Sequence, residues 1–325
     1  MTSFSTRPRV VILDPGYESY AIEQEILDSA GHDLAVFEGE RNDREGRIRF
    51  ARGAAGLLVR WSVIDGPLLD ALPEVRCLVR YGVGYDNVDL SAASGRGVRV
   101  ANVRGYANHS VSDHALALML SLARAIPQAP ATLMGAYSRP PREPMPELRS
   151  LTLGIIGLGN IGGTLCRKAR PLVRRVLAVD PKVTPEQFAR LGATRMNLET
   201  LFEESDVISL HCDLNESSRH LINRDAVSRM RRSPILVNTA RGEVVDEAAL
   251  LVGLEEGRIR SAGLDVFSVE PPLPSLERLL NHPHVLYTGH YAWYSEEASR
   301  ELQRRAAENL AALLRGEIPE DCLNP

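Results

Sequence analysis

With 325 residues, 38 Lys and Arg against 42 Asp and Glu, and a net charge of −4, the chain offers no basic footprint for nucleic acid. Its 5% aromatic content is too low for a base-stacking surface, and its length suits two domains that each bury a core. Cys77, Cys166, Cys212 and Cys322 stand far apart with no C-x-x-C pair, so neither a disulfide framework nor a metal site is expected.

Residues 1–7 read as a loose tail without the apolar region of a signal peptide, and the apolar stretch 115–123 is too short to span a bilayer; a cytoplasmic protein is expected. Apolar runs at 10–13, 34–37, 56–59, 77–79 and 98–101 predict strands, with helical patterns such as Ile22, Ile26 and Leu27 between them. That alternation predicts a parallel sheet with helices on both faces, ending near residue 102. Residues 106–126 hold a helix, with Leu116, Met119, Leu120 and Ala123 on one face. The four prolines of 138–150 require an irregular connection. A second series of strands follows at 153–156, 176–179, 207–210, 235–238, 262–265 and 285–287. Asp246 caps a helix that Gly257 closes, and Ser295 caps a last long helix that Gly316 stops.

The second series begins with LTLGIIGLGNIGG, a strand followed by Gly157, Gly159 and Gly162 at the spacing G-x-G-x-x-G and then a helix. Such glycines let the backbone turn tightly against a pyrophosphate and let the helix pack close to the strand, while the helix N-terminus supplies free amides. Asp180 ends the next strand, 18 residues past Gly162, where a carboxylate can accept bonds from a ribose. The pattern predicts a dinucleotide site, against a ligand-free tight turn or a methyltransferase loop. A carboxylate also favours NAD over NADP, because it repels a 2′-phosphate; Lys182 nearby tempers this.

Ligands of open α/β sheets bind beyond the carboxyl ends of the strands. Gly157, Asp180, His211, Thr239 to Arg241, Asp265 to Glu270 and His290 all fall just after predicted strands. Arg241 can grip a carboxylate in two places and polarise an adjacent carbonyl; alternatively it pairs on the surface with Glu243 or Asp246. Glu270 beside His290 would orient the imidazole and favour its protonated form, making a general acid/base for an alcohol oxygen. His282 and His284 flank Pro283 in a solvated turn, and His32, His109, His114 and His220 show no partner in sequence.

Four stretches in order, LGIIGLGNIG, LHCDLNESSRHLIN, LVNTARGEVVDEAAL and GLDVFSVEP, resemble the D-isomer-specific 2-hydroxyacid dehydrogenases, as does RYGVGYDNVDL in the first half. TGHYAWYSEEAS is most similar to the branch that includes the C-terminal-binding protein corepressors and phosphoglycerate dehydrogenase-like members. The resemblance implies two doubly wound domains. A Rossmann NAD domain, residues 104–291, is inserted into a flavodoxin-like substrate domain formed by 1–103 and 292–325, with hinges near 102–106 and 291–296. It implies Arg241, Glu270 and His290 as the catalytic set. NAD would lie against Gly157, Gly159, Asn160, Ile161, Gly162, Asp180, His211, Thr239, Ala240 and Asp265. The amides of Val83 and Gly84 would hold the substrate carboxylate, and Arg80 and Trp293 would face the substrate. Family members are usually homodimers. Two departures stand out: Gly289 replaces the usual proline before the catalytic histidine, and 138–150 lacks a tryptophan often found there.

The expected activity is hydride transfer between NAD(H) and a small 2-keto or 2-hydroxy acid. Two alternatives stay open. One is an NADH-responsive, corepressor-like binding protein. The other keeps the chemistry on a phosphorylated or phosphonate acid, with Arg60, Arg80 and Arg104 as a second anion site; the plainer reading is that these arginines solvate strand ends.

Overall fold

The computed structural model describes residues 7–40, 42–129 and 145–325. The chain divides into two compact units, Met1–Tyr106 with Ser295–Pro325, and Ala107–Tyr294.

The first unit holds β1 (Arg9–Ile12), β2 (Asp33–Val36), β3 (Ala54–Val59), β4 (Cys77–Arg80) and β5 (Arg99–Ala101). They pair in parallel in the order β2-β1-β3-β4-β5, the order of flavodoxin-like folds. Every residue of β3 is buried, as a central parallel strand covered on both faces requires. The final helix, Glu296–Leu314, packs over β3 and β4 and against the helix Ala21–Ser29. There the buried Glu23 accepts bonds from Tyr81 Oη at 2.8 Å and Gln303 Nε2 at 3.0 Å. Ser295 caps this helix by accepting from the Ala298 amide at 3.1 Å.

The second unit holds β6 (Thr152–Ile156), β7 (Arg175–Val179), β8 (Thr194–Arg195), β9 (Val207–Leu210), β10 (Ile235–Asn238), β11 (Ser261–Leu264) and β12 (Val285–Tyr287). The order is β12-β11-β10-β9-β6-β7-β8, and every pairing is parallel. Strand order reverses at β6, so the crevice between the carboxyl ends of β6 and β9 is the topological switch point. The helix Asn108–Ala123 packs over β10 and β11, and Glu247–Glu255 is capped by Asp246, which accepts from the amides of Ala248 and Ala249 at 3.0 and 3.1 Å. Strand ends differ from the sequence reading by a residue or two, and two departures bear on the site's unit. β8 has two exposed residues and no apolar run to announce it, and Asp265 falls just outside its strand. Of the proline-rich connection, the part up to residue 144 lies outside the described residues, as does the tail 1–6; Leu148–Ser150 form a single 3-10 turn.

Among the described residues, no helix is long and apolar enough to cross a membrane, and no group of three or more His, Cys, Asp or Glu side chains is arranged to hold a metal.

Candidate active site

The glycine-rich turn follows β6. Gly157 has φ +89°, and a β-carbon on it would lie 2.6 Å from the backbone of His211 and Cys212 at the end of β9. A β-carbon on Gly162 would lie 2.0 Å from the Gly157 carbonyl oxygen, so only glycine lets the helix Asn160–Ala169 pack this close. That helix has no side-chain cap, which leaves its first amides, around Asn160 and Ile161, as donors for an anion. Gly159 and Asn160 are exposed, and nothing lies within 4 Å of where a Gly159 β-carbon would stand.

Asp180, just after β7, accepts from the Leu158 amide at 2.8 Å and from the Lys182 amide at 2.8 Å, tying the second strand end to the glycine turn. A carboxylate has acceptor capacity beyond two bonds, so Asp180 can still receive a ribose hydroxyl. The Lys182 ammonium lies 3.7 Å from Asp213. At the ends of β9 and β10, two buried polar atoms have no partner: His211 Nδ1 and Thr239 Oγ1. His211 Nε2 meets Ser209 Oγ at 2.8 Å, and burial pushes the imidazole down to about 4, so the ring is neutral at pH 7. Orphaned polar atoms at adjacent strand ends, beside a turn that only glycine can make, fit a dinucleotide.

The catalytic candidates follow β10, β11 and β12. Asn238, buried at the end of β10, accepts from the Ala240 amide at 3.0 Å and donates to the Arg241 carbonyl at 2.9 Å, which shapes the turn that presents Arg241. Arg241 Nη1 donates to the Ala240 carbonyl at 2.7 Å. Of the two acids that follow it in sequence, Glu243 pairs with Arg219 and Asp246 caps its helix. In the loop after β11, Glu247 accepts from the Ser268 amide and hydroxyl at 2.8 and 2.5 Å. Glu270 is then placed with Oε1 accepting from the Phe267 amide at 3.1 Å and Oε2 2.6 Å from His290 Nδ1. Burial pushes the Glu270 carboxyl up, but the bond and charge of His290, the Phe267 amide and the charge of Arg241 outweigh it and hold the group below its usual range. The carboxylate is therefore ionised, the shared proton sits on Nδ1, and Nε2 is the ring nitrogen left for proton exchange.

Asp265 is buried behind this pair, 1% exposed. Its carboxylate accepts from Thr288 Oγ1 and from the amides of Tyr291 and Ala292, and its carbonyl accepts from the His290 amide. Trp293 is half-buried with its ring edge-on to Tyr294, centroids 5.6 Å apart.

In the first unit, the Val103 amide donates to the Gly82 carbonyl at 3.0 Å, and Asn102 Nδ2 donates to the Val83 carbonyl at 2.6 Å. A trans peptide points its N–H opposite its C=O, so pinning these carbonyls turns the amides of Val83 and Gly84 together to the other side. Asn102, which supports the candidate loop at Val83, is a residue that sequence reasoning missed; only its place after a strand end could have signalled it. Arg80 Nη1 donates to the Tyr81 carbonyl at 2.7 Å. Arg60 lies over the rings of Tyr17 and Trp61, 5.4 and 5.3 Å from their centroids. Arg104 is committed to structure, bonding Asp321 Oδ1 at 3.0 Å and the Glu320 carbonyl.

The family model described as the NAD binding domain of D-isomer specific 2-hydroxyacid dehydrogenases matches residues 116–292. A glyoxylate reductase of Korarchaeum cryptofilum is 39% identical over 266 residues, 80% of each chain. A D-3-phosphoglycerate dehydrogenase of Mycobacterium bovis is 36% identical over 283 residues, 87% of this chain and 53% of that one, so this chain spans about half its length. Among solved structures, D-lactate dehydrogenase from Aquifex aeolicus complexed with NAD and lactic acid aligns with a TM-score of 0.88 at 25% identity, covering 98% of this chain and 99% of that one. The TT0316 protein from Thermus thermophilus aligns with a TM-score of 0.84 at 32% identity, covering 97% and 99%.

Proposed function

The chain belongs to the D-isomer-specific 2-hydroxyacid dehydrogenase family and is an NAD-dependent oxidoreductase, and we propose that His290, Arg241 and Glu270 carry its reaction on a small 2-keto or 2-hydroxy acid. The observation that carries this reading is the 2.6 Å bond between His290 Nδ1 and Glu270 Oε2, with the charge of Arg241 felt at the same carboxylate.

NAD(H), when bound, supplies the hydride exchanged with the substrate carbon. The turn from Gly157 to Gly162 would hold its pyrophosphate and Asp180 a ribose. His211, Thr239 and Ala240 would line its cleft, and Asp265 would meet the carboxamide. In the direction of reduction, Arg241 grips the substrate carboxylate and stabilises negative charge growing on the carbonyl oxygen. His290 Nε2 gives its proton to that oxygen, and Glu270 offsets the ring's charge and fixes its orientation. In oxidation the same nitrogen takes the hydroxyl proton. The family resemblance makes the amides of Val83 and Gly84 further carboxylate donors, and Arg80 and Trp293 would face the substrate. Asp180 supports NAD over NADP. The family resemblance supports a homodimer, and the lack of any paired-cysteine pattern accords with the cytoplasm.

The test is NADH oxidation against a panel of 2-keto acids: glyoxylate, hydroxypyruvate, pyruvate, longer aliphatic and aromatic acids, and phosphorylated and phosphonate analogues. His290→Ala is run alongside. A rate on one acid that falls by about 10²–10⁴ in the variant, with NADH binding intact, supports the assignment. Silence across the panel with tight NADH binding would favour a cofactor-responsive binding protein instead.

A further inference from the structure

His290 has a backbone φ of 55°, in the left-handed region that a side chain other than glycine adopts only when its surroundings impose it. Gly289, just before it, adds no stiffness. The constraint comes from Asp265. The His290 amide donates to its backbone carbonyl at 2.8 Å, the Tyr291 amide to Oδ1 at 3.1 Å and the Ala292 amide to Oδ2 at 3.0 Å, so the segment 290–292 winds around one buried residue.

A side chain with that task must itself be held. Thr288 Oγ1 donates to Asp265 Oδ1 at 2.5 Å, and its own amide is fixed to the Leu264 carbonyl at 2.8 Å. A hydroxyl has one proton, here given to the carboxylate. The 2.9 Å contact between His114 Nε2 and Thr288 Oγ1 is therefore donated by the ring, and the His114 proton lies on Nε2. Nε2 is 3.8 Å from Asp265 Oδ1, and the His114 ring meets Tyr291 edge-on, centroids 5.4 Å apart at 82°. A helix that contributes nothing to the catalytic set thus reaches the His290 loop through two side chains.

We propose that His114 and Thr288 are positioning residues for His290, acting through Asp265 to fix the 290–292 segment so that the imidazole meets Glu270 in one orientation. The inference rests on the reading of His290 as the acid/base.

Thr288→Val keeps the side-chain shape and removes the hydroxyl, whereas Thr288→Ser keeps it. Two measurements on the full chain decide the matter. Hydrogen exchange, without substrate, should show the amides of His290, Tyr291 and Ala292 exchanging about tenfold faster in Thr288→Val, with the rest of the sheet unchanged. Turnover on the best acid of the panel should fall about 10–100-fold in kcat with KM for NADH unchanged, because a displaced acid group loses its alignment. Thr288→Ser should restore both. If Thr288→Val fails to fold, His114→Phe, which keeps an edge contact with Tyr291 and loses the donor, carries the same expectations. Wild-type exchange at 290–292 in the folded variant, or a serine that does not rescue, overturns the relay. A wild type that reduces no acid would count against the proposed function, while the exchange data would still decide the relay.

Discussion

A β-carbon on Gly242 would stand 1.9 Å from the backbone carbonyl carbon of Phe267. The turn that carries Arg241 and the loop that carries Glu270 thus touch backbone to backbone, and the missing side chain is what lets them meet. Gly242→Ala must push the two apart. We expect a loss of about 1–3 kcal/mol in stability from overpacking, and a fall in kcat/KM of about 10²-fold from the misplaced groups. Urea unfolding and steady-state kinetics read the two effects separately. An alanine variant as stable and active as wild type would show that the loops do not depend on this contact.

The coupling of Glu270 to His290 sets a pH dependence. The ring's bond and charge help hold the Glu270 carboxyl below its usual range against the opposing effect of burial. A carboxyl lowered in the folded chain adds stability that is present above its unfolded value and is lost as pH falls through its folded one. Glu270→Gln removes the titrating group, so the decline in melting temperature below about pH 5 should be shallower in the variant. Melting curves across that range test this, and a decline parallel to that of wild type would mean the contact does not govern the carboxyl.

His211 links the cofactor cleft to acid stability. Burial lowers it from 6.5 to about 4. Between those values the unfolded chain binds a proton that the folded chain refuses, so stability is full above pH 6.5 and is lost as pH falls towards 4. His32 and His282 are also lowered by burial and act in the same direction. His211→Gln should therefore flatten, without abolishing, the decline in melting temperature of the cofactor-free protein between pH 7 and 4.5. Parallel melting curves for variant and wild type would contradict this.

Most strands were legible because a parallel strand covered on both faces reads as an unbroken apolar run, as Leu153 to Ile156 and Val176 to Val179 do. β8 was not, since Thr194 and Arg195 are exposed at a sheet edge and carry no such signal. Arg241, Glu270 and His290 could be singled out because each follows a strand, and the structure brings Glu270 and His290 into contact. The supporting residues were hidden. Asn102 acts on Val83 across 19 positions of sequence, and Thr288 meets His114 across 174. Hydrogen bonds of this kind join elements that only the folded topology makes neighbours, so no local pattern marks them. His114 in particular looked like any lone histidine on an apolar helix.

Gly289 leads elsewhere. Its backbone lies outside the left-handed region, and a β-carbon added there would meet nothing within 4 Å. Neither sterics nor dihedral angle calls for glycine at the position. Gly289→Ala should accordingly raise stability by about 0.4–1 kcal/mol by restricting the unfolded chain, a gain that thermal melts would show. The approach to the acid/base is thus a joint that a single side chain could stiffen without repacking either core.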